Sequence, residues 1–172
     1  MKYIFISFFL LTLNSFSNNA SFVKDIVNCA KDIQADYEVE NRIPNDLILA
    51  QAILESNWGK SRFAREGNNY FGMRTWDLND EHILPLNSTD NSFGLKVYDN
   101  ICSSVSDYLH NLNTSPSYKQ LRKIRKIENI LWSRVDALEL ANGLISYSEE
   151  ASIYVAKVKN QIRSIRSNML LD

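Results

Sequence analysis

The chain has 172 residues, with 19 basic and 20 acidic side chains and a formal net charge of −1. That balance excludes the concentrated positive charge of a nucleic-acid-binding protein, so no nucleic acid is expected as a partner. Hydrophobic residues make up 45% of the sequence, enough to give a chain of this length one domain with a real core.

Lys2 is followed by an apolar or hydroxyl run from Tyr3 to Leu13 and then by the small polar stretch Asn14 to Ala20. A short basic start, an apolar block of about ten residues and small residues after it form a secretory signal peptide. The run is shorter than the roughly 20 apolar residues of a membrane span. Residues 1–20 are therefore read as an export signal, with Ser17 or Ala20 before the cut, and residues 21–172 as the mature domain. The alternative is an uncleaved anchor. Cleavage would leave no stable membrane insertion. With no wall-anchoring repeat in the chain, the expected location is the periplasm or cell envelope, and a monomer is expected.

Phe22, Ile26, Ala30, Ile33 and Tyr37 recur every three or four residues, which predicts a helix over 21–38. Pro44 suits the first turn of a second helix, about 44–57, with Gly59 at its stop. This second helix has almost no polar face (Leu47, Ile48, Leu49, Ala50, Ala52, Ile53, Leu54), the pattern of a buried helix. Residues 60–98 lose the helical period and hold three of the five glycines. Short strands are predicted near 70–75, 82–86 and 93–98. Helices resume over 101–112, after Pro116, and from Ser148, whose hydroxyl can cap a last helix with Glu149 and Glu150 in its first turn. The fold class is α+β, mainly α, with a small loop-rich β lobe inserted between helices.

Glu55 is the one ionisable group in the buried helix apart from Asp46 at its start, and Trp58 lies three residues on. Burial disfavours a charged carboxylate and raises its pKa. An acid still protonated near neutral pH is what a glycosidic leaving oxygen requires. A structural pairing of Glu55 with Arg62 or Arg65 is the competing reading. Cys29 and Cys102 are either a disulfide, which export permits, or two small buried hydrophobes. His82 and His110 carry no ligand spacing, so neither a metal nor a cofactor is expected.

The stretch from Leu49 to Arg74, with Leu54-Glu-Ser-Asn-Trp-Gly59 and Asn69-Tyr-Phe-Gly72, resembles the bacterial glucosaminidases of glycoside hydrolase family 73, and among them the Bax-type proteins. Further matching blocks run over Ser104–Arg122, Gly143–Ser148 and Tyr154-Val155, in the family's order. The resemblance implies a lysozyme-like fold and cleavage of the glycan strands of peptidoglycan, most simply as an endo-β-N-acetylglucosaminidase. It makes Glu55 the general acid. It also sets Tyr147 beside the reacting sugar and lines the sugar cleft with Trp58, Asn69, Tyr70, Phe71 and Gly72.

A second carboxylate is less marked. The lobe offers Asp77, Asp80, Glu81 and Asp90, of which Glu81 is chosen as the partner. Without one, the substrate's own acetamido group can supply the nucleophile. Residues 119–134 hold six basic side chains against one acid, Glu128, read as a solvated helix face in preference to a polymer-binding one. Trp58, Trp76 and Trp132 can stack on sugars, with core packing the default for any single tryptophan. The alternative function is a wall-binding or envelope-assembly protein with the same fold and little catalysis. A peptidoglycan amidase is a weaker option, because the chain lacks clustered zinc ligands.

Overall fold

The computed structural model describes residues 4–86, 92–168 and 170–171, with side chains from residue 19 onward. Of the residues named above, Lys2, Tyr3 and Asp90 lie outside this set.

Helix α1 spans Ile4–Ala35. It starts earlier than the predicted 21–38 because no glycine or proline interrupts residues 4–35. It stops sooner because the Tyr37 N–H turns back to the Gln34 carbonyl. The expected boundary at residue 20 falls inside this helix. A short 3-10 turn, Val39–Asn41, leads to α2, Asn45–Ser56. Pro44 sits at its N-cap, its carbonyl accepting from Leu47 and Ile48. As its sequence predicts, α2 is buried nearly all round.

Three helices share one core with α2. Helix α1 packs Phe22, Val23, Ile26, Val27 and Ala30 into the core. Helix α4, Ile101–Thr114, contributes Val105, Tyr108, Leu109 and Leu112. The last helix, α7, spans Ser152–Ser167 and runs antiparallel to α2. Arg166 near its end pairs with Asp46 in the first turn of α2 at 2.6 Å, while Tyr154 near its start meets Gln51 at 2.9 Å.

The start of α7 corrects the expected one. Ser148 does not cap it: its hydroxyl accepts from the Glu150 N–H in the preceding turn. Ala151, at φ 47°, then reverses the chain before the helix begins, so Glu149 and Glu150 precede its first turn. Between α4 and α7 lie the turn Pro116–Tyr118, helix α5 (Lys119–Trp132), helix α6 (Ala137–Leu140) and the turn Ala141–Leu144. Arg125 on α5 is buried and satisfied by the Asn41 carbonyl and the Asn113 side chain.

A short helix α3, Arg62–Gly67, leads into the β lobe. Strands β1 (Arg74–Thr75), β2 (His82–Ile83) and β3 (Gly94–Lys96) form an antiparallel sheet in the order β1-β3-β2. A side chain at Gly94 would collide with the His82 ring on the neighbouring strand. Cys29 on α1 and Cys102 in the first turn of α4 form a disulfide, with Cα atoms 5.0 Å apart. Of the two readings left open by the sequence, the structure has the bridge.

Candidate active site

Helix α2 ends in an unusual turn. Asn57, Trp58 and Gly59 all have positive φ, at 49°, 59° and 73°. Two of the three bear side chains that disfavour this conformation. Ser56 holds the turn: its hydroxyl donates to the Ala52 carbonyl and accepts from the Gly59 N–H at 2.8 Å. The Ser61 N–H reaches back to the Ser56 carbonyl at 2.8 Å. Glu55 is thus fixed in the last turn of a buried helix, at the edge of a cleft.

That cleft has a volume of about 1120 Å³ and opens between the β lobe and the helical body. Glu55, Phe71, Gly72 and Tyr147 line it together. Gly72 has φ 66°, and a Cβ there would stand 3.3 Å from Glu55 Oε2. A glycine keeps the mouth of the acid open and accepts the left-handed backbone. The Tyr147 hydroxyl donates to the Phe71 carbonyl at 2.7 Å, which spends its hydrogen and leaves its oxygen as an acceptor.

Behind Glu55 is a directed set of hydrogen bonds. Gln51 lies one turn earlier on the same face of α2. The Tyr108 hydroxyl donates to Gln51 Oε1 at 2.6 Å. This turns Gln51 Nε2 to the Tyr154 oxygen, 2.9 Å away. Tyr154 therefore accepts from Gln51, which leaves its own hydrogen to be offered to the Glu55 carboxyl. Burial pushes Glu55 above its ordinary carboxylate value of 4.5, and the Tyr154 hydrogen bond pulls it partly back. Burial also raises Tyr154, as do the nearby Glu55 charge and the hydrogen bond to it, so the phenol stays protonated. Burial, again with Glu55 nearby, keeps Tyr147 and Tyr108 neutral as well.

The remaining predicted residues separate by place. Asn69 is buried beneath the cleft. Its Nδ2 donates to the Met73 and Lys96 carbonyls and its Oδ1 accepts from the Met73 N–H, so it ties the 69–73 turn to β3. Tyr70 and Trp58 pack around Phe22 on α1, with ring centroids 6.1 and 6.0 Å away, and neither lines the cleft. Trp58 leaves the side of α2 that carries Glu55 because the helix ends at Ser56. Phe71 stacks on Tyr108 with centroids 4.0 Å apart.

Glu81 is exposed and does not line the cleft, whereas the neighbouring Asp80 does. Asp77 is occupied by Asn79. Arg62 pairs with Glu66 and the Leu84 carbonyl and leaves Glu55 to Tyr154. Trp76, read from sequence as core, is 69% exposed on the cleft wall, where an indole can stack on a sugar ring. Gln51, Tyr108 and Tyr154 were missed as site residues. The signal for the first was a glutamine four residues before the only mid-helix acid, on an otherwise apolar helix.

Residues 30–167 match the family described as mannosyl-glycoprotein endo-beta-N-acetylglucosaminidase. The chain is 32% identical over 112 residues to the protein bax of Escherichia coli (strain K12), covering 65% of this chain and 39% of that protein. It is 26% identical over 140 residues to the peptidoglycan hydrolase FlgJ of the same strain, covering 74% and 42%. It thus spans less than half the length of these relatives. Among solved structures, a C-terminally truncated glycoside hydrolase domain of Salmonella typhimurium FlgJ matches with a TM-score of 0.63 at 22% identity, over 87% of this chain and 98% of that one. The catalytic domain of the Listeria monocytogenes autolysin Auto matches with a TM-score of 0.59 at 22% identity, over 89% and 87%. These structural likenesses carry the fold, which is lysozyme-like and mostly helical with a small antiparallel sheet.

Proposed function

We propose that this chain, which belongs to the bacterial glucosaminidase family, is a peptidoglycan hydrolase acting as an endo-β-N-acetylglucosaminidase, with Glu55 as its general acid. The observation that carries the reading is a carboxyl raised by burial, backed by Tyr154 and open to a cleft of oligosaccharide size. In that setting Glu55 gives its proton to the glycosidic oxygen as the bond from the sugar's C1 breaks. The charge forming at C1 is met by the substrate's own acetamido oxygen. Tyr147 assists, since its free oxygen can accept from the acetamido N–H and hold that group in line. Water then opens the cyclic intermediate and returns a proton to Glu55. Trp76 offers a stacking surface on the lobe side.

Residues 1–20 serve on this reading as an export signal, and the mature protein works as a monomer in the periplasm or envelope. N-terminal sequencing of the exported protein checks the cut; a chain still beginning at Met1 overturns it. Purified muropeptide chains, digested and analysed by mass spectrometry, test the activity. New reducing ends at N-acetylglucosamine are expected. Free stem peptides with intact glycan would refute the proposal.

A second reading, a wall-binding or assembly protein with little catalysis, draws on the place of Glu81 outside the cleft. A wall-lysis gel of wild type beside Glu55→Gln separates the two: clearing by wild type alone supports the enzyme.

A further inference from the structure

We propose that the outward face of α5 docks on an anionic lipid bilayer. Two kinds of side chain meet there. Lys119, Lys123 and Lys126 are exposed, and their spacing of four and three residues sets them on one stripe of the helix. The next position on that stripe is Ile130, which is 70% exposed. Leu131 and Trp132, the last two residues of the helix, turn away from that stripe but are 63% and 69% exposed at the same end. Three large apolar groups left open at one helix end add nothing to the folded core and mark a surface that meets something.

The charge says what it meets. The whole chain is near neutral, yet residues 119–134 hold six basic side chains against one acid. Arg122 and Arg125 are spent on backbone carbonyls and on Asn113. The one acid, Glu128, accepts from the Asp136 N–H. No hydrogen bond or ion pair joins the three lysines to an acid among the described residues. A helix with an apolar, indole-bearing end and a row of lysines along one side is suited to the headgroup boundary of an anionic membrane, where the apolar end enters the acyl region and the lysines meet phosphates. A second copy of the chain is a poorer occupant, because a two-fold pairing through this face would bring lysines against their own counterparts. A glycan has no aliphatic surface to match Ile130 and Leu131. The inference is independent of the proposed activity, since none of these residues lines the cleft.

Flotation of the full chain with phosphatidylcholine vesicles, with and without phosphatidylglycerol, tests it. Wild type is expected to float with the anionic vesicles and to be released by salt. The double variants Lys123→Glu/Lys126→Glu and Ile130→Ser/Trp132→Ser should each bind on the order of tenfold more weakly. Both should keep the wild-type thermal unfolding curve and wall-lysing activity. Both variants keep residues 1–20, so lipid affinity residing there would appear as equal flotation of all three proteins and overturn the proposal. Absence of wild-type binding, or binding indifferent to phosphatidylglycerol and salt, also overturns it. So does a dimer in sedimentation equilibrium that Ile130→Ser/Trp132→Ser dissolves, which would assign the face to a second copy.

Discussion

Tyr154, on α7, accepts from Gln51 of the buried α2 and offers its own hydroxyl hydrogen to the Glu55 carboxyl one turn further on. The direction of that bond is set by Gln51, which already donates to the Tyr154 oxygen. The bond favours the ionised carboxylate and so opposes the effect of burial. Removing it with Tyr154→Phe should raise the Glu55 pKa further. A catalytic acid works only while protonated, so the alkaline limb of the rate profile should move to higher pH. A pH series of wall lysis for wild type and variant checks this; an unmoved limb would detach Tyr154 from the acid.

Glu55 also links stability to pH. Its folded value lies above the ordinary 4.5, so between the two values the folded protein holds a proton that the unfolded chain has released. The stability gained this way is present in acid and lost as pH rises through the folded value. Glu55→Gln cannot ionise and keeps it. Its Tm should exceed that of wild type at high pH, with the gap closing as pH falls toward 4.5, while its rate drops by about a hundredfold to ten-thousandfold. Calorimetry at several pH values, paired with a turnover assay, measures both.

Gly72→Ala puts a methyl group 3.3 Å from Glu55 Oε2 on a backbone with φ 66°. The left-handed conformation alone costs about 1–2 kcal/mol for a residue with a side chain, so the Tm should fall by a few degrees. The methyl also crowds the acid, and activity should fall more than stability explains. Rates measured well below the Tm separate the two effects.

The disulfide joins positions 73 residues apart. Closing a loop of that length stabilises the fold by about 4 kcal/mol in the chain-entropy account. Cys102→Ser should lower the Tm markedly and leave turnover at 25 °C largely intact, because neither cysteine lines the active cleft. Denaturant melts with and without reductant give the comparison; equal midpoints would refute the prediction.

Local pattern was readable where one property dominated. The apolar run in α2, Pro44 before it and the strand predicted near 93–98 became a buried helix, its N-cap and strand β3. Glu55 was legible because a lone acid on an apolar helix conflicts with its surroundings. Tyr154 was not: on α7 it repeats with Val158 and Ile162 and looks like core, and its polar role depends on Gln51, which only tertiary packing brings near. Trp76 was ranked as core ahead of sugar stacking for the opposite reason. Core is the common fate of tryptophan, and the three short strands among the described residues leave Trp76 on the lobe's surface. Gly143 was noted for its family block alone, whereas the structure shows that a Cβ there would strike the backbone of Leu121 on α5.

The bridge between Cys29 and Cys102 has a topological meaning beyond its contribution to folding. The acid helix, α3 and the described strands all lie between the two cysteines in sequence, so they belong to one covalent ring. A single protease cut anywhere in the lobe opens that ring without dividing the molecule. The severed halves stay attached through sulfur, with Glu55 on one and Tyr154 on the other still held to the same body. In a compartment rich in proteases and poor in reductant, such a nicked chain would migrate as one species until its disulfide was reduced.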